Sequence, residues 1–439
     1  MNILIIDKEG SGLDFAIRAI YHGHKVKIAY GPEAAPHRIG EGIVDIVDNP
    51  LPHARWADLI FCTDNSWLQK QVDVLIRRGF PVFGPSEEAA SWELDRAKGQ
   101  AVLKAAGVDT LPGVSFTSYD KAITYVKRKG GRYVSKPNGD MDKSLSYVSK
   151  NAADMVFMLE RWKKNNKLKG EFILQEFVPG IEMAVGAFYA NGKRTSPWLE
   201  NFEFKKLMPG DLGVSTGEQG TVINYCEDSK LAQKVLVPVE PQIADLNYTG
   251  YIDVNCIIDD QGTPWPLEFT TRPGWPLFQI QQALHDFDMA QWMLDSMTHG
   301  TMMEPDMQTA TGVVMSIPDY PYGSYTNKDV AGIPVYGMTR ENRWNIHPAE
   351  MKLGTAPAMD GDSVVDKSML VTAGDYVLIA SGVGDNVEQS AQGAYEVLES
   401  LEVPNSPMYR IDIGKRLEKQ LPELHKLGYA TDFTYEGDD

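Results

Sequence analysis

The chain has 439 residues, 43% hydrophobic and 23% charged, an ordinary globular balance with enough apolar residues for several cores. At roughly 150 residues per domain, this length suggests about three domains. The net charge of −18 sets the surface against nucleic acid and anionic lipid, so neither is expected as a partner, although a locally basic cleft can still take a small anion.

Cys62, Cys226 and Cys256 form no CxxC pair and no zinc spacing, which fits a reducing compartment. The start "MNILIID" is already strand-like, with no basic segment before it, and no run approaches the roughly 18 apolar residues of a membrane span. A soluble, cytoplasmic protein is expected.

In chain order, "MNILIID" reads as a strand, "KEGSGLD" as a turn and "FAIRAIYHG" as a helix. "HKVKIAY", "GIVDIV", "ADLIFCT" and "FPVFG" follow as strands, with helical "WLQKQVDVLIRRG" between the last two. Such alternation predicts a Rossmann-like α/β domain over 1–92. The turn carries only G-x-G, without the third glycine of a dinucleotide fingerprint, and reads better as a tight connection that touches substrate. "WELDRAKGQAVLKAAGV" has one apolar helical face. The strand-rich stretch at about 113–180, with "GRYVSKPNGDMDKSLSYV", helix "ADMVFMLERWKKN" and strand "EFILQEFV", predicts a small lid. Strand "IEMAVGAFYANG", a polar loop "KLMPGDLGVSTGEQGTV", a helix and the hairpin "GYIDVNCIIDDQGTPWPLEFTT" come next. Beyond 310, "TGVVMSI", "DYVLIASGV" and helix "NVEQSAQGAYEVLESL" predict an α+β domain over 311–439, which leaves 93–310 as the middle domain.

The hairpin carries the first chemical signal. If Gln261-Gly262 is a two-residue turn closing on Asp260 and Thr263, then Asn255 faces Glu268 and Asp253 faces Thr270. Opposed residues share a face, so these four form an oxygen-rich patch suited to Mg²⁺, which takes one or two carboxylates and completes its shell with phosphate oxygens. Arg272, just beyond, can hold an anion in a fork. A solvent-facing polar sheet reads the same way, and one register slip breaks the argument. Lys98 and Lys136 are compact charges suited to phosphate, and the glycine-containing loop after Lys136 can close N–H groups over one. In "LQEFVPGIE" the backbone can pair with an adenine edge, flanked by Gln175 and Glu182. Surface lysines and strand-end polarity are the plain alternatives.

The order of these pieces resembles the ATP-grasp superfamily, and most closely its glycinamide ribonucleotide synthetase (phosphoribosylamine–glycine ligase) family. "FPVFGPSEEAA", "GDLGVSTGEQG" and "GTPWPLEFTTRPGWP" resemble that family's entry, substrate-loop and metal-strand motifs, and "VTAGDYVLIASGVGDNVEQSAQGAYEVLESL" resembles its C-terminal domain. The resemblance implies a nucleotide held between two α+β lobes and an ATP-dependent ligase forming an amide. ATP phosphorylates glycine, and phosphoribosylamine attacks the acyl phosphate. It implies ATP contacts from Lys98, Lys136, Lys143, Gln175, the backbone of Phe177 and Val178, Glu182 and Lys205. It implies Mg²⁺, with Mn²⁺ as the alternative, on Glu268, Asn255 and Thr270. It places Asp211, Ser215, Thr216, Gly217, Arg272 and Gly274 at the substrates, with Arg272 and Lys136 as the catalytic pair. The partners implied are an amino acid and an amine, and the chain is expected as a monomer or small homo-oligomer.

Four departures stand against this pattern. The family's G-S-G-G-R-E-H-A is here "EGSGLDFA", its G-P-E-A-P-L is "TDNSWL", its glycine-rich lid loop is "PNGDMDKSL", and its metal-binding asparagine is Thr270. They keep two alternatives open: a diverged ligase for another amino acid and amine, and a nucleotide-binding protein that has lost catalysis.

Overall fold

The computed structural model describes residues 1–137, 146–165, 170–322, 328–404 and 406–437. Lys143, expected among the ATP contacts, lies outside them. Five parallel strands open the chain, in the order Asp45–Ile46, Lys25–Tyr30, Asn2–Asp7, Leu59–Cys62 and Val82–Phe83. The first strand is an unbroken apolar run because both of its faces are covered. Ile3 and Ile5 pack with Phe15 and Phe61 in the main core, while Leu4 and Ile6 pack with Ile60, Val72 and Leu75 on the other side.

The stretch expected as a lid forms a small antiparallel sheet, in the order Gly113–Phe116, Phe172–Glu176, Tyr133–Pro137 and Tyr147–Val148. Helices Tyr119–Lys129 and Ala152–Lys164 cover it. Phe116, Tyr119, Val126, Leu159, Trp162, Phe172 and Leu174 close a hydrophobic cluster of their own, separate from the main core. A layer with its own core can move as a body.

The third sheet is antiparallel and runs Pro264–Thr270, Gly250–Ile258, Ile181–Ala190, Trp198–Glu203, Gly220–Cys226, Thr309–Ser316, Tyr376–Gly384 and Ile346–Pro348. It is continuous across the 310/311 position. Thr309–Ser316 pairs with Gly220–Cys226 on one side and Tyr376–Gly384 on the other. Apolar strands buried on both faces do not reveal their neighbours, so the sequence cannot show that the sheet carries on. A buried chain of polar groups ties the first domain to this sheet. His347 Nδ1 lies 2.9 Å from Asp14, its Nε2 lies 2.8 Å from Ser381 Oγ, and Arg18 Nε donates to Asp14 at 3.1 Å.

The expected turn of the metal hairpin needs correcting. Asp259 N–H donates to Thr263 O at 3.1 Å, so the loop has three residues, 260–262, with Gly262 at φ 75°. The cause is the Asp259 carboxylate, which accepts from the N–H groups of Gln261 and Thr263 at 3.0 and 2.8 Å. A bulge after Asn255 makes up the one-residue difference. Asn255 therefore faces Glu268 and Asp253 faces Thr270, as the alternation predicts. The segment "KLMPGDLGVS", read as a loop, is a hairpin of Lys206–Met208 and Leu212–Ser215, turned at Gly210 and Asp211, both at positive φ.

Candidate active site

Glu268 stands on the edge strand Pro264–Thr270, half-buried, and forms an ion pair with Arg96. Burial alone would raise its pKa, but Arg96, Lys136 and Lys205 overcome that and hold it at about 2. Lys136 comes from the small sheet. Burial, with Arg96 and Lys205 nearby, pushes it down to about 8, against the pull of Glu268 and Glu182. Lys205 bridges Glu182 and Glu203, at 2.7 Å from each. Burial opposes its charge, yet these carboxylates and Glu268 raise its pKa. Three cations and three carboxylates from two sheets and a helix thus meet in one cleft. Of these residues only Lys136 comes from the layer with its own core, so movement of the small sheet shifts Lys136 against the other charges.

Asn255 is 3% exposed and donates to Glu203 at 2.9 Å, while its Oδ1 is buried without a hydrogen-bond partner. An orphaned amide oxygen facing a carboxylate strand fits a hard cation. Among the described residues no group of three His, Cys, Asp or Glu side chains stands together for a metal. A Mg²⁺ that takes most of its shell from nucleotide phosphates does not need one. Asp253 faces inward to Asn201 at 2.9 Å and Tyr251 at 3.2 Å, and burial beside Glu203 raises it to about 7.

Not every expected residue reaches the cleft. Lys98 pairs with Glu88 at 2.6 Å on an open surface. Residues two apart on a helix point to nearly opposite sides, so Arg96 faces Glu268 when Lys98 does not. Arg96 is not among the expected site residues. Gln175 is buried on its strand, but the Phe177 N–H donates to Arg132 O at 3.0 Å and is not offered to a base. The Arg132 guanidinium lies over the Phe177 ring at 3.4 Å. Val178 is half-buried. Asp211 is held by Arg410 at 2.9 Å and anchors the hairpin that bears Ser215. Thr216 Oγ1 donates to Lys205 O at 2.9 Å, which fixes the backbone of that lysine. Gly217 is exposed. A Cβ on Gly274 would stand 2.7 Å from Leu277 Cβ, so this glycine serves close packing. Arg272 pairs with Glu93 at 3.3 Å. Burial works against its charge, and Glu93, Glu9 and Asp64 hold it.

The N-terminal turn holds a feature that the glycines alone do not announce. Asp7 accepts from the N–H groups of Glu9, Gly10 and Ser11 at 3.1, 2.9 and 3.2 Å, and from Gly12 at 2.7 Å. Thr63 Oγ1 adds a bond of 3.0 Å. Burial still lifts this carboxyl to about 6, against the N–H groups of Gly12 and Gly10. A nest of N–H groups that could cradle an anion is filled by the chain's own carboxylate.

Residues 96–276 match the family described as the phosphoribosylglycinamide synthetase ATP-grasp (A) domain. A phosphoribosylamine–glycine ligase of Ralstonia nicotianae is 26% identical over 358 residues, covering 79% of this chain and 81% of its own. One of Haemophilus influenzae is 25% identical over 364 residues, covering 80% and 81%. The crystal structure of a phosphoribosylamine–glycine ligase of Thermotoga maritima is similar with a TM-score of 0.72 at 20% identity, covering 94% of this chain and 100% of that one. An N5-carboxyaminoimidazole synthetase of Staphylococcus aureus, complexed with ADP, gives 0.58 at 14% identity, covering 90% and 96%.

Proposed function

We propose, from the match of residues 96–276 to the phosphoribosylglycinamide synthetase ATP-grasp (A) domain, that the chain is an ATP-dependent ligase that forms an amide. Its reaction joins glycine to 5-phosphoribosylamine, with ADP and phosphate released. The observation that carries this reading is the cleft itself. Arg96, Lys136 and Lys205 surround Glu268 and Glu182, beside the orphaned oxygen of Asn255.

Each side chain has a task in that reaction. Lys136, Lys205 and Arg96 take the phosphate oxygens and spread the charge of the transferring phosphoryl group. Glu182 and Gln175 hold the nucleoside end. Glu268 and Asn255 would hold Mg²⁺, which neutralises the polyphosphate when bound. The carboxylate substrate attacks the terminal phosphorus, and its new acyl phosphate meets the amine near Arg272. The small sheet closes over the cleft and keeps water from the acyl phosphate. No enzyme nucleophile is required.

A second reading follows from the N-terminal turn. With its N–H groups held by Asp7, the turn offers no seat to a phosphate, which favours an amine anchored in another way. One experiment separates the two: ADP release with Mg-ATP, glycine and freshly generated phosphoribosylamine, each omitted in turn. Turnover that needs all three supports the first reading. Glycine-dependent ADP release that ignores phosphoribosylamine supports the second. No release with any amine or carboxylate overturns both.

A further inference from the structure

Glu218 stands between the hairpin Lys206–Ser215 and strand Gly220–Cys226. It is 5% exposed, and its Oε1 is buried without a hydrogen-bond partner. Glu203, Lys205, Asp253 and Arg272 face it across the cleft, and Tyr376 faces it from strand Tyr376–Gly384 of the same sheet. The two cations have other anions: Lys205 has Glu182 and Glu203, and Arg272 has Glu93. Burial, then Glu203, raises the Glu218 pKa well above the usual carboxylate range. Leaving a buried carboxyl oxygen without a donor is unfavourable, and a purely structural carboxyl would be expected to have one. The donor that suits this position arrives from outside and carries a proton on nitrogen.

We propose that Glu218 binds the amine substrate and accepts its proton during attack on the acyl phosphate. This rests on the ligase reading above and assigns a residue to its second half-reaction. The nitrogen lone pair forms the C–N bond. The acyl C–O bond breaks, and its electron pair leaves on phosphate. The surplus proton of the nitrogen passes to the Glu218 carboxylate and from there to solvent. A carboxylate with raised proton affinity takes a proton more readily than an ordinary one. The nearby Asp253, also raised, differs in that its Oδ2 accepts from Asn201 and Tyr251, while its Oδ1 is likewise buried without a partner.

The test uses the full chain with Mg-ATP and glycine, and three acceptors: phosphoribosylamine, ammonium chloride and hydroxylamine. Hydroxylamine is uncharged near neutral pH and traps an acyl phosphate as a hydroxamate without help from a base. Glu218→Gln should lower ADP release with phosphoribosylamine and with ammonium chloride about 100-fold, while hydroxamate formation from the more nucleophilic hydroxylamine stays within about threefold of wild type. Parallel loss of both, or loss of neither, overturns the proposal. Since Oε1 has no partner to lose, the variant should keep or raise its Tm, and a fall of several degrees would mark a structural carboxyl and overturn it too. Wild-type hydroxamate without turnover of either amine leaves the ligase reading standing and overturns the role of Glu218. Wild-type protein that gives neither product overturns the ligase reading itself.

Discussion

The two sides of the cleft handle charge in opposite ways. On the nucleotide side, Arg96 and Lys205 pair with Glu268, Glu182 and Glu203 on elements of the main core, and Lys136 reaches the same carboxylates from the small sheet with its own core. Side-chain ion pairs can exchange one anion for another, and Lys136 sits on a layer with a core of its own, so these cations can turn to phosphate. On the N-terminal side, the donors are backbone N–H groups, and one buried carboxylate on the same turn, Asp7, holds them. Those bonds are local and have nothing to exchange with. The nucleotide side is therefore built to be refilled by a ligand, and the N-terminal turn is built to hold itself.

The comparison can be broken in graded steps. Glu268→Gln removes the carboxylate that organises the nucleotide side, and kcat/KM for ATP should fall on the order of 10³-fold in steady-state ADP release. Arg410→Ala removes a guanidinium that is 1% exposed and tied to Asp412 and Asp211. That change should cost about 3–5 kcal/mol in urea unfolding and loosen the hairpin with little effect on ATP affinity. Equal losses in stability and ATP affinity would show that this hairpin belongs to the nucleotide side.

Asp7→Asn acts on the N-terminal turn alone. An amide has one acceptor oxygen where the carboxylate has two, so a loss of about 1–3 kcal/mol is expected, with the thermal shift given by Mg-ATP unchanged. The pH profile adds a sign. The folded-state pKa of Asp7 is raised from 3.8 to about 6, so the folded chain binds this proton more tightly. Its contribution to stability is full below the lower value and is lost as pH rises through the upper one. The variant should lack that slope.

Lys136 sharpens the nucleotide side. Because its pKa is pushed down to about 8, kcat/KM for ATP should decline as pH rises above that value. Lys136→Arg, with a guanidinium that stays charged, should remove the alkaline limb. The smallest effect belongs to Lys98→Ala. Its pair with Glu88 is exposed, so stability should change by less than about 1 kcal/mol, with ATP affinity held.

Legibility follows the range of the interactions. The first domain is readable because strands such as "NILIID" and "KVKIAY" alternate with helices, and each signal is local. The facing pairs Asn255–Glu268 and Asp253–Thr270 are readable because side-chain alternation survives a compensating bulge. The bulge itself is not, since it depends on how the Asp259 side chain folds back on its own loop. Arg96 is not legible because a single arginine on a helix carries no motif of its own, although helical spacing puts it on another face from Lys98. The grip of Arg410 on Asp211 joins residues far apart in the chain, and no local pattern announces it. Asp7 left one readable trace, an acidic residue ending a strand before a glycine turn. Which N–H groups it holds is decided by the backbone path.

The central claim is that a carboxylate attacks ATP and leaves as an acyl phosphate, and isotope transfer tests this most directly. Glycine labelled with ¹⁸O in its carboxylate is turned over with Mg-ATP and an accepting amine, and the released phosphate is analysed by mass. The account predicts one labelled oxygen in each phosphate formed. Phosphate free of label, or label found in AMP, would contradict it.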